Sequence, residues 1–593
     1  MLLGERMGWR LILLGRLLGR GAGGGALLLL GLLDRTRAHH TLRRRTWAGQ
    51  LEGSDGFIKN HTTPPAGRKP KRSQDSSGIR LIIALLMDHS WLNSNILPFL
   101  SLIILQLVSC SIIVRSLWSL GRKKDSGRVL PPSPPGLPII GNLHQLLGGH
   151  HHRTLQTLAE RHGPLFLVQL GSVPTVVVSS ASMAEAVFKT QDHVFCSRPQ
   201  QYMARRLLWD CRNVGFSAYG ERWRQLRRVA VVHLLSAKRV QSFRALREEE
   251  VASLIAQVRA ASEERRAINM TELVVGFTKT VFSKAAFGNK LGGMEPLELQ
   301  AMFQELLDML QKVAVSDLFP RLGWVDWATG LHAKTKRIAT KVDDVLESVL
   351  REHEKSRLNK DEAGDLLDDL LSLENKLDRT DVKGVIFDIF IASVDTISKL
   401  MEWVMAELIK NPKEMEKVQV QLRGAVGAPG RVAEEQMGAM IQLKAVIKEA
   451  LRLHPALPLL IPRETVQDTK LHGYHIPAKT RVLINAWAIG RDNEWWADAN
   501  EFRPERFVQN TFNYRDKDEL GFVPFGAGRR GCPGSGFSMP LVELALANML
   551  YHFDWELPDG QDLQSFEVVE SNGISPRLKC ALNLVVKPYK DEL

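Results

Sequence analysis

A short glycine-rich stretch near the C-terminal end, residues 525–534, constrains this chain more than any other feature. It reads Phe-Gly-Ala-Gly-Arg-Arg-Gly-Cys-Pro-Gly, and an apolar run follows at 537–553. Glycines let backbone N–H groups approach the sulfur of Cys532, and the arginines and a helix start favour its thiolate form. No second Cys or His stands at zinc-finger spacing, which argues against a zinc site. The stretch predicts a thiolate ligand, with a buried structural cysteine as the alternative.

The composition is that of a globular protein, but its charge is unevenly distributed. The chain has 593 residues, 44% of them hydrophobic, and a formal net charge of +13. The first 86 residues hold 15 basic and 5 acidic side chains, whereas the remainder holds 63 and 60. The main body is therefore nearly neutral, and its charge gives no argument for nucleic-acid binding. Five scattered cysteines are too few for a disulfide framework, which fits a reducing, cytosol-facing compartment.

The N-terminal part predicts a leader followed by a membrane anchor. Residues 1–86 mix Arg-rich leucine runs with glycine and proline, and we interpret them as an atypical, disordered leader or a gene-model extension. An organellar transit peptide is the alternative. Residues 87–130 would form the anchor and a basic linker, because the uncharged stretch 96–114 suits one spanning helix, with a buried core helix as the alternative. Basic residues follow this stretch directly, so the bulk of the protein is expected on the cytosolic side.

A proline-rich segment then leads into a single domain. Residues 131–138 contain five prolines, which predict a stiff, extended hinge. Residues 139–593 read as one domain, in which helical periodicity dominates and β-rich runs are short. We expect a hairpin at 165–179, helices at 240–262, 297–313 and 333–357, and short strands near 473–477, 480–485 and 581–587. The predicted fold class is therefore mainly α with small β-sheets.

Two pairs of polar residues at helical spacing are candidate parts of a site. Trp223 and Arg227 stand four residues apart, so an indole N–H and a guanidinium on one helix face could bind a carboxylate. An exposed basic helix is the alternative. Glu449 and Arg452 stand three residues apart and can pair, although a surface ion pair of this kind is common and contributes little to stability.

A long helix is predicted at 381–411. Thr380 or Asp381 could cap it, the pair Asn411-Pro412 would end it, and about 30 residues would span roughly 45 Å. Near its middle, Asp395 and Thr396 interrupt an apolar stretch, where a buried acid is costly unless it has a partner or a function.

In combination, these motifs resemble those of the cytochrome P450 family, from about residue 87 to the C-terminus. The anchor, the proline hinge and the paired motifs stand in the family's order, and the segment 486–492 resembles plant A-type members of the 71 clan. The resemblance implies the cytochrome P450 fold, with a long central helix over haem b and Cys532 as the iron ligand. The fixed positions of the haem-thiolate loop are filled by Phe525, Gly528, Arg530, Cys532 and Gly534.

The resemblance also implies roles for residues elsewhere in the chain. Thr396 would hydrogen-bond dioxygen, and Asp395 would help to deliver protons. Haem propionates would be contacted by Trp223, Arg227 and Arg463, a scaffold network behind the haem would be formed by Glu449, Arg452 and Arg506, and the substrate pocket would be lined by Ala392, Ser393, Ala456, Leu457 and Leu460.

Two positions of the central helix depart from the family pattern. Ser393 stands where the family has glycine, and Ile397 stands where a small hydroxyl residue is usual. The family's glycine leaves room for dioxygen and lets the helix open locally. The added side chain of Ser393 is therefore expected to change the dioxygen geometry and the coupling efficiency.

The function that the resemblance implies is a monooxygenase that hydroxylates or epoxidises a small lipophilic plant secondary metabolite. Electrons would come from NADPH through the membrane-bound NADPH–cytochrome P450 reductase, docked near Arg224, Arg228 and Arg529. The implied location is the endoplasmic reticulum membrane, with a cytosolic catalytic domain. Two alternatives stay open. One is an atypical haem-thiolate isomerase, dehydratase or coupling enzyme, which Ser393 and Ile397 leave open although Thr396 and Asp395 favour the monooxygenase. The other is a divergent non-catalytic haem binder, against which the intact motifs count.

Overall fold

A computed structural model describes residues 128–589 except for short gaps, together with a few residues between 101 and 109. The gaps are 289–292, 294–295, 357–363, 374–375, 427–429, 510–511, 513–519, 560, 562 and 564–565. The predicted leader lies outside the described residues, and so does most of the predicted anchor helix at 96–114. No helix within the described residues has both the length and the apolar character needed to cross a membrane.

Helices make up most of the described chain, and the helices predicted at 297–313, 333–357 and 381–411 are present with bounds within a few residues of the prediction. The exception is the helix predicted at 240–262, which is two helices because Phe243 leaves the helical conformation with φ −88° and ψ 11°. In chain order the described residues form the α-helices α1 His151–His162, α2 Ala181–Glu185, α3 Asp192–Phe195, α4 Tyr202–Leu207, α5 Glu221–Arg228, α6 Ala237–Ser242, α7 Arg244–Glu263, α8 Met270–Phe287, α9 Pro296–Leu310, α10 Trp324–Ala328, α11 Leu331–Ser356, α12 Leu366–Leu371, α13 Arg379–Lys410, α14 Pro412–Val426, α15 Ile441–Leu453, α16 Ala486–Ile489, α17 Glu505–Gln509 and α18 Ser535–His552.

The central helix α13 has 32 residues and begins earlier than predicted. Its cap is neither Thr380 nor Asp381 but Asp378, which stays extended and accepts a hydrogen bond from the backbone N–H of Asp381 at 2.9 Å. Gly384 lies against a neighbouring loop so closely that a Cβ there would collide with the carbonyl oxygen of Arg212. The first half of α13 is therefore in direct backbone contact with the loop around residue 212.

The strands form small sheets, as predicted. They are β1 Leu165–Leu170, β2 Val173–Val178, β3 Ile268–Asn269, β4 Arg463–Glu464, β5 Thr469–Leu471, β6 Tyr474–Ile476, β7 Arg481–Ile484, β8 Phe553–Glu556 and β9 Asn583–Pro588. The sheet orders are β1-β2-β7-β4, β3-β9-β8 and β5-β6. The predicted hairpin is confirmed as β1 and β2, which pair antiparallel with Leu165 opposite Val178. The mainly α class with small sheets is therefore confirmed.

The main hydrophobic core forms where α13 packs against α8, α15 and α18. A smaller apolar cluster lies between the four-stranded sheet and α2. The predicted proline hinge also lies against the domain: the carbonyl oxygen of Pro132 accepts from Leu167 N at 2.8 Å, and Asn142 donates to the carbonyl of Pro134 at 3.2 Å. These elements place α13 opposite the loop that leads into α18.

Candidate active site

A cavity of about 300 Å³ lies between α13 and the 525–534 loop. Cys532 lines this cavity, and its backbone N–H donates to the carbonyl of Phe525 at 2.9 Å. Gly528 has φ +68°, and a Cβ there would lie 2.6 Å from the carboxylate of Asp192, so this turn requires glycine. The other predicted residues that line the cavity are Phe525, Gly534, Arg227, Arg463, Arg530, Ala392, Ser393, Thr396, Ala456, Leu457 and Leu460.

Four arginines form a positively charged rim on the cavity: Arg198, Arg227, Arg463 and Arg530. All four donate to backbone carbonyl groups, which belong to the segments 196–217, 461–462 and 527–531. Three of them are at most 9% exposed, and Arg227 is half-buried. The rim arginines therefore connect several loops while they present charge to the cavity.

The rim carries more positive than negative charge. Asp192 pairs with it through a 3.1 Å contact to Arg463. Burial, followed by repulsion from Arg530 and Arg463, lowers the pKa of Arg198. Burial lowers the pKa of Arg530 to about 9. An anionic ligand beside these groups would offset this repulsion, so the rim fits a molecule that carries carboxylates.

Trp223 and Arg227, which were predicted to act as a pair, make different contacts. Arg227 reaches the cavity and also donates to the carbonyl of Gly531 at 2.6 Å, which links α5 to the cysteine loop. Trp223 is 3% exposed, does not line the cavity, and donates its indole N–H to the carbonyl of Val214 at 3.1 Å. Its ring lies 4.1 Å below the guanidinium of Arg530. In this structure Trp223 supports a rim arginine.

Hydroxyl groups on α13 donate hydrogen bonds to backbone carbonyl groups of the same helix. Ser393 Oγ donates to the carbonyl of Ile389, and Thr396 Oγ1 donates to that of Ala392, both at 2.7 Å. Such bonds to the carbonyl four residues earlier bend a helix slightly. Ile397 is 3% exposed and also lines the cavity. The two positions that depart from the family pattern are therefore both on the cavity wall.

Asp395 lies beside Thr396 in the chain but outside the cavity lining. Its carboxylate accepts from Lys399 Nζ at 2.6 Å, from Ser575 Oγ at 3.1 Å and from Arg577 Nη2 at 3.3 Å. Lys399 is 2% exposed, and burial lowers its pKa while the Asp395 charge opposes this shift. Sequence reasoning missed Lys399, although a lysine four residues after an acid in an apolar helix is a signal of pairing.

The predicted scaffold residues Glu449, Arg452 and Arg506 lie together. Arg452 donates two hydrogen bonds to the Glu449 carboxylate, from Nε and Nη2, both at 2.7 Å. Arg506 Nε adds a third bond at 3.0 Å. Glu449 is 0% and Arg452 1% exposed, so this is a buried network. Arg452 also donates to the carbonyls of Gly490 and Ala499, each at 2.6 Å, and so holds the segment before α17.

Sequence reasoning missed two charged residues of the cavity, Arg198 and Asp388. Asp388 stands on α13 eight residues before Thr396, which is the spacing of one helix face, so helical periodicity was a usable signal. Arg198 stands in an irregular segment between Ser197 and Pro199, where no periodic pattern identifies it.

The chemistry of the cavity fits a haem. A thiol can bind the iron, guanidinium groups can bind the two propionates, and the remaining wall is mostly apolar. A mainly helical fold with such a cavity is typical of haem-thiolate oxidoreductases.

Comparisons with known proteins agree with this class. Residues 131–576 match the family model described as Cytochrome P450. Cytochrome P450 71A1 of Persea americana is 44% identical over 485 residues, which cover 80% of this chain and 96% of the relative. Strychnine-11-hydroxylase of Strychnos nux-vomica is 41% identical over 478 residues, with 79% and 93% covered. A zebra fish cytochrome P450 solved with abiraterone superposes with a TM-score of 0.63 at 25% identity, covering 74% of this chain and 99% of that one.

The chain therefore belongs to the cytochrome P450 family, within the plant 71 clan. It is an oxidoreductase of the monooxygenase class. Membership implies a haem cofactor, a redox partner, and a substrate that reacts together with dioxygen.

Proposed function

We propose that this chain hydroxylates or epoxidises a small lipophilic plant secondary metabolite. The observation that carries the proposal is that Cys532, Thr396 and the four rim arginines all line one mostly apolar cavity. The strychnine hydroxylase among its relatives supports a plant metabolite as substrate. The cavity would bind and orient this molecule and exclude water from the reacting bond.

Haem b would be held by side chains that are far apart in the sequence of the domain. Cys532 would bind the iron, and Arg227 and Arg463 would pair with the propionates. Arg198 and Arg530 would add positive charge at the same rim. When bound, a haem with a thiolate ligand activates dioxygen for insertion into a C–H or C=C bond.

The α13 side would supply the proton chemistry. Thr396 lines the cavity, and its hydroxyl would accept a hydrogen bond there while it donates to the carbonyl of Ala392. Asp395 would help to deliver protons from behind the helix, where Lys399 and Arg577 hold its carboxylate. Ser393 would restrict the space beside Thr396 because its side chain lines the same wall.

NADPH would supply the electrons through the membrane-bound NADPH–cytochrome P450 reductase. Arg224 and Arg228 are exposed on α5, the helix that Arg227 links to the cysteine loop, and Arg529 is exposed on that loop. We propose that these three arginines would receive an acidic surface of the reductase, although Arg529 also pairs with Asp192. We further propose that residues 96–114 anchor the chain in the endoplasmic reticulum membrane, with the catalytic domain in the cytosol.

The test is the carbon monoxide difference spectrum of the reduced protein. A proximal thiolate shifts the Soret band far to the red, so the wild type should show this band and Cys532→Ala should lose it completely. Cys580→Ala is the matched control, because Cys580 is also an exposed cysteine and lies outside the cavity lining. A red-shifted band that survives in Cys532→Ala would contradict the assignment.

A further inference from the structure

A buried lysine stands one helical turn after the acid that is proposed to deliver protons. Of the lysines that the structure describes, Lys399 is the least exposed, at 2%, and it follows Asp395 by four residues on α13. Residues at this spacing are neighbours on one helix face. A buried ammonium group is costly unless its charge has partners, so the contacts of Lys399 indicate what the residue does.

All three N–H donors of the Lys399 ammonium have acceptors. Nζ donates to Asp395 Oδ2 at 2.6 Å, and it donates to the backbone carbonyl and the side-chain oxygen of Ser575 at 2.8 and 2.6 Å. An ammonium group has three donors, so this set is complete. One cation therefore bonds at the same time to the acid on α13 and to a residue far along the chain.

Ser575 lies in a short hairpin, residues 571–577, which contacts α13. The backbone N–H of Ser571 donates to the carbonyl of Arg577 at 2.7 Å and closes the hairpin. The hydroxyl of Ser575 also lies 2.8 Å from the carbonyl oxygen of Ala456, a residue of the cavity wall. The hairpin therefore joins α13 to a second segment of that wall.

The same hairpin supplies a second cation to the acid. Arg577 Nη2 lies 3.3 Å from Asp395 Oδ1, so each carboxylate oxygen faces a cation. The side chain of Arg577 is 35% exposed, whereas that of Lys399 is 3% exposed. An ion pair shielded from water is the stronger of two such contacts. The position of the Asp395 carboxylate therefore depends mainly on Lys399.

We propose that Lys399 is a positioning residue, which holds the Asp395 carboxylate on the 571–577 hairpin so that proton delivery by Asp395 depends on this link. The inference rests on the proposed function, because it takes Asp395 as the group that delivers protons. The competing role is purely structural: Lys399 would only neutralise a buried charge. The two roles differ in whether the effect of Lys399 on oxygen reduction requires the Asp395 carboxylate.

The experiment measures how the full haem-loaded protein, with NADPH and the reductase but no added substrate, divides reduced dioxygen between two products. Dioxygen takes up two electrons and two protons to leave as hydrogen peroxide, or four of each to become two molecules of water. Rapid proton delivery favours water, because the oxygen–oxygen bond then breaks before peroxide is released. The amounts of NADPH and dioxygen consumed and of peroxide formed give the ratio of water to peroxide.

Lys399→Met should lower this ratio about tenfold, which is part of the roughly hundredfold or greater effect of a positioned general acid. Lys399→Arg keeps a cation and should recover most of the loss. In an Asp395→Asn background, Lys399→Met should change the ratio by less than about twofold, because no carboxylate is left to position. A similar fall in both backgrounds, or no fall in the wild-type background, would overturn the proposal.

Lys383→Met is the matched control. Lys383 is also a buried lysine of α13, but it pairs with Asp343 at 2.8 Å and Glu347 at 2.9 Å, so its loss should reduce stability and leave the ratio unchanged. A second readout needs no turnover: Lys399→Met should accelerate hydrogen exchange of the backbone amides at 571–577, and Lys383→Met should not. Equal exchange in both variants would contradict the link between Lys399 and the hairpin.

Ser575→Ala keeps the test decisive if Lys399→Met fails to fold. It removes one acceptor of Lys399 and should lower the ratio about threefold, again only while Asp395 is present. The proposed function has its own readout, the red-shifted carbon monoxide band. A wild type that has this band but forms only peroxide, or whose ratio these variants leave unchanged, refutes only the Lys399 inference. Absence of the band refutes the haem-thiolate assignment.

Discussion

The two walls of the cavity are built in different ways. On the cysteine-loop side, Arg463 and Arg530 donate to backbone carbonyls, and Gly528 takes a positive φ against Asp192. On the α13 side, Ser393 and Thr396 donate to carbonyls of their own helix, and Asp395 pairs with another side chain, Lys399. Contacts that involve the backbone restrict which residue types fit at a position, whereas one member of a side-chain pair can be replaced without a change in the backbone. The loop side should therefore carry the chemistry shared by the family, and the helix side the properties of this chain.

The largest effect is expected in the buried network of Glu449, Arg452 and Arg506, from Arg452→Met. This change removes both hydrogen bonds to Glu449 and leaves a buried carboxylate with one fewer cation. Loss of one partner of a buried ion pair costs about 3–5 kcal/mol, and the carbonyls of Gly490 and Ala499 also lose their donor. We expect the free energy of unfolding in urea to fall by about this amount, together with the haem content.

The control for this prediction is Arg503→Met. Arg503 stands next to the same network but its side chain is 48% exposed and pairs with Asp498 at the surface, so its loss should cost less than about 1 kcal/mol. Equal destabilisation by Arg452→Met and Arg503→Met would show that the buried network stabilises the fold no more than a surface ion pair does. Burial of the charged groups would then not explain how the scaffold beside the cavity is held.

A smaller, functional effect is expected on the α13 wall, in Ser393→Gly. Removal of the hydroxymethyl group frees space beside Thr396 and releases the carbonyl of Ile389. We expect the ratio of oxygenated product to NADPH consumed to rise a few-fold, with stability reduced by about 1 kcal/mol because glycine is a poor helix former. The measurement uses a substrate identified by its binding spectrum and isotopically labelled dioxygen.

Ser398→Gly is the matched control for the coupling ratio. Ser398 lies on the same helix and donates to the carbonyl of Val394 at 2.7 Å, but it does not line the cavity. It should lose similar stability and leave the coupling ratio unchanged. A ratio that stays constant in Ser393→Gly, or that rises equally in both variants, would count against the steric argument.

The same contrast explains how much could be predicted from the sequence. The cysteine loop and the Glu449–Arg452–Arg506 network depend on short spacings, which are visible in the chain, and the helices follow a regular apolar period. The cap of α13 was wrongly placed because Asp378 competes with two equally suitable neighbours. The division of work between Trp223 and Arg227, and the partner of Asp395 at Arg577, depend on tertiary contacts between residues far apart in the chain, which no local pattern reveals.

The smallest effect concerns how α13 is attached at its start. Glu347 on α11 bonds to Arg379, at the start of α13, and to Lys383, and these bonds lower the pKa of its carboxyl to about 2. A depressed carboxyl pKa stabilises the fold above the unfolded value near 4.5, and this stabilisation is lost as the pH falls toward 2.

Glu347→Gln should therefore lower the free energy of unfolding by about 1 kcal/mol at neutral pH, after allowance for screening of these partly exposed partners. The difference from the wild type should shrink as urea unfolding is repeated at successively lower pH between 4.5 and 2. Asp344→Asn, an exposed acid on the same helix, should change stability little at any pH. If the loss of unfolding free energy in Glu347→Gln stayed the same in acid, α13 would be held at this end by packing rather than by charge. The helix wall would then depend on packing and not on charged side-chain pairs at this point.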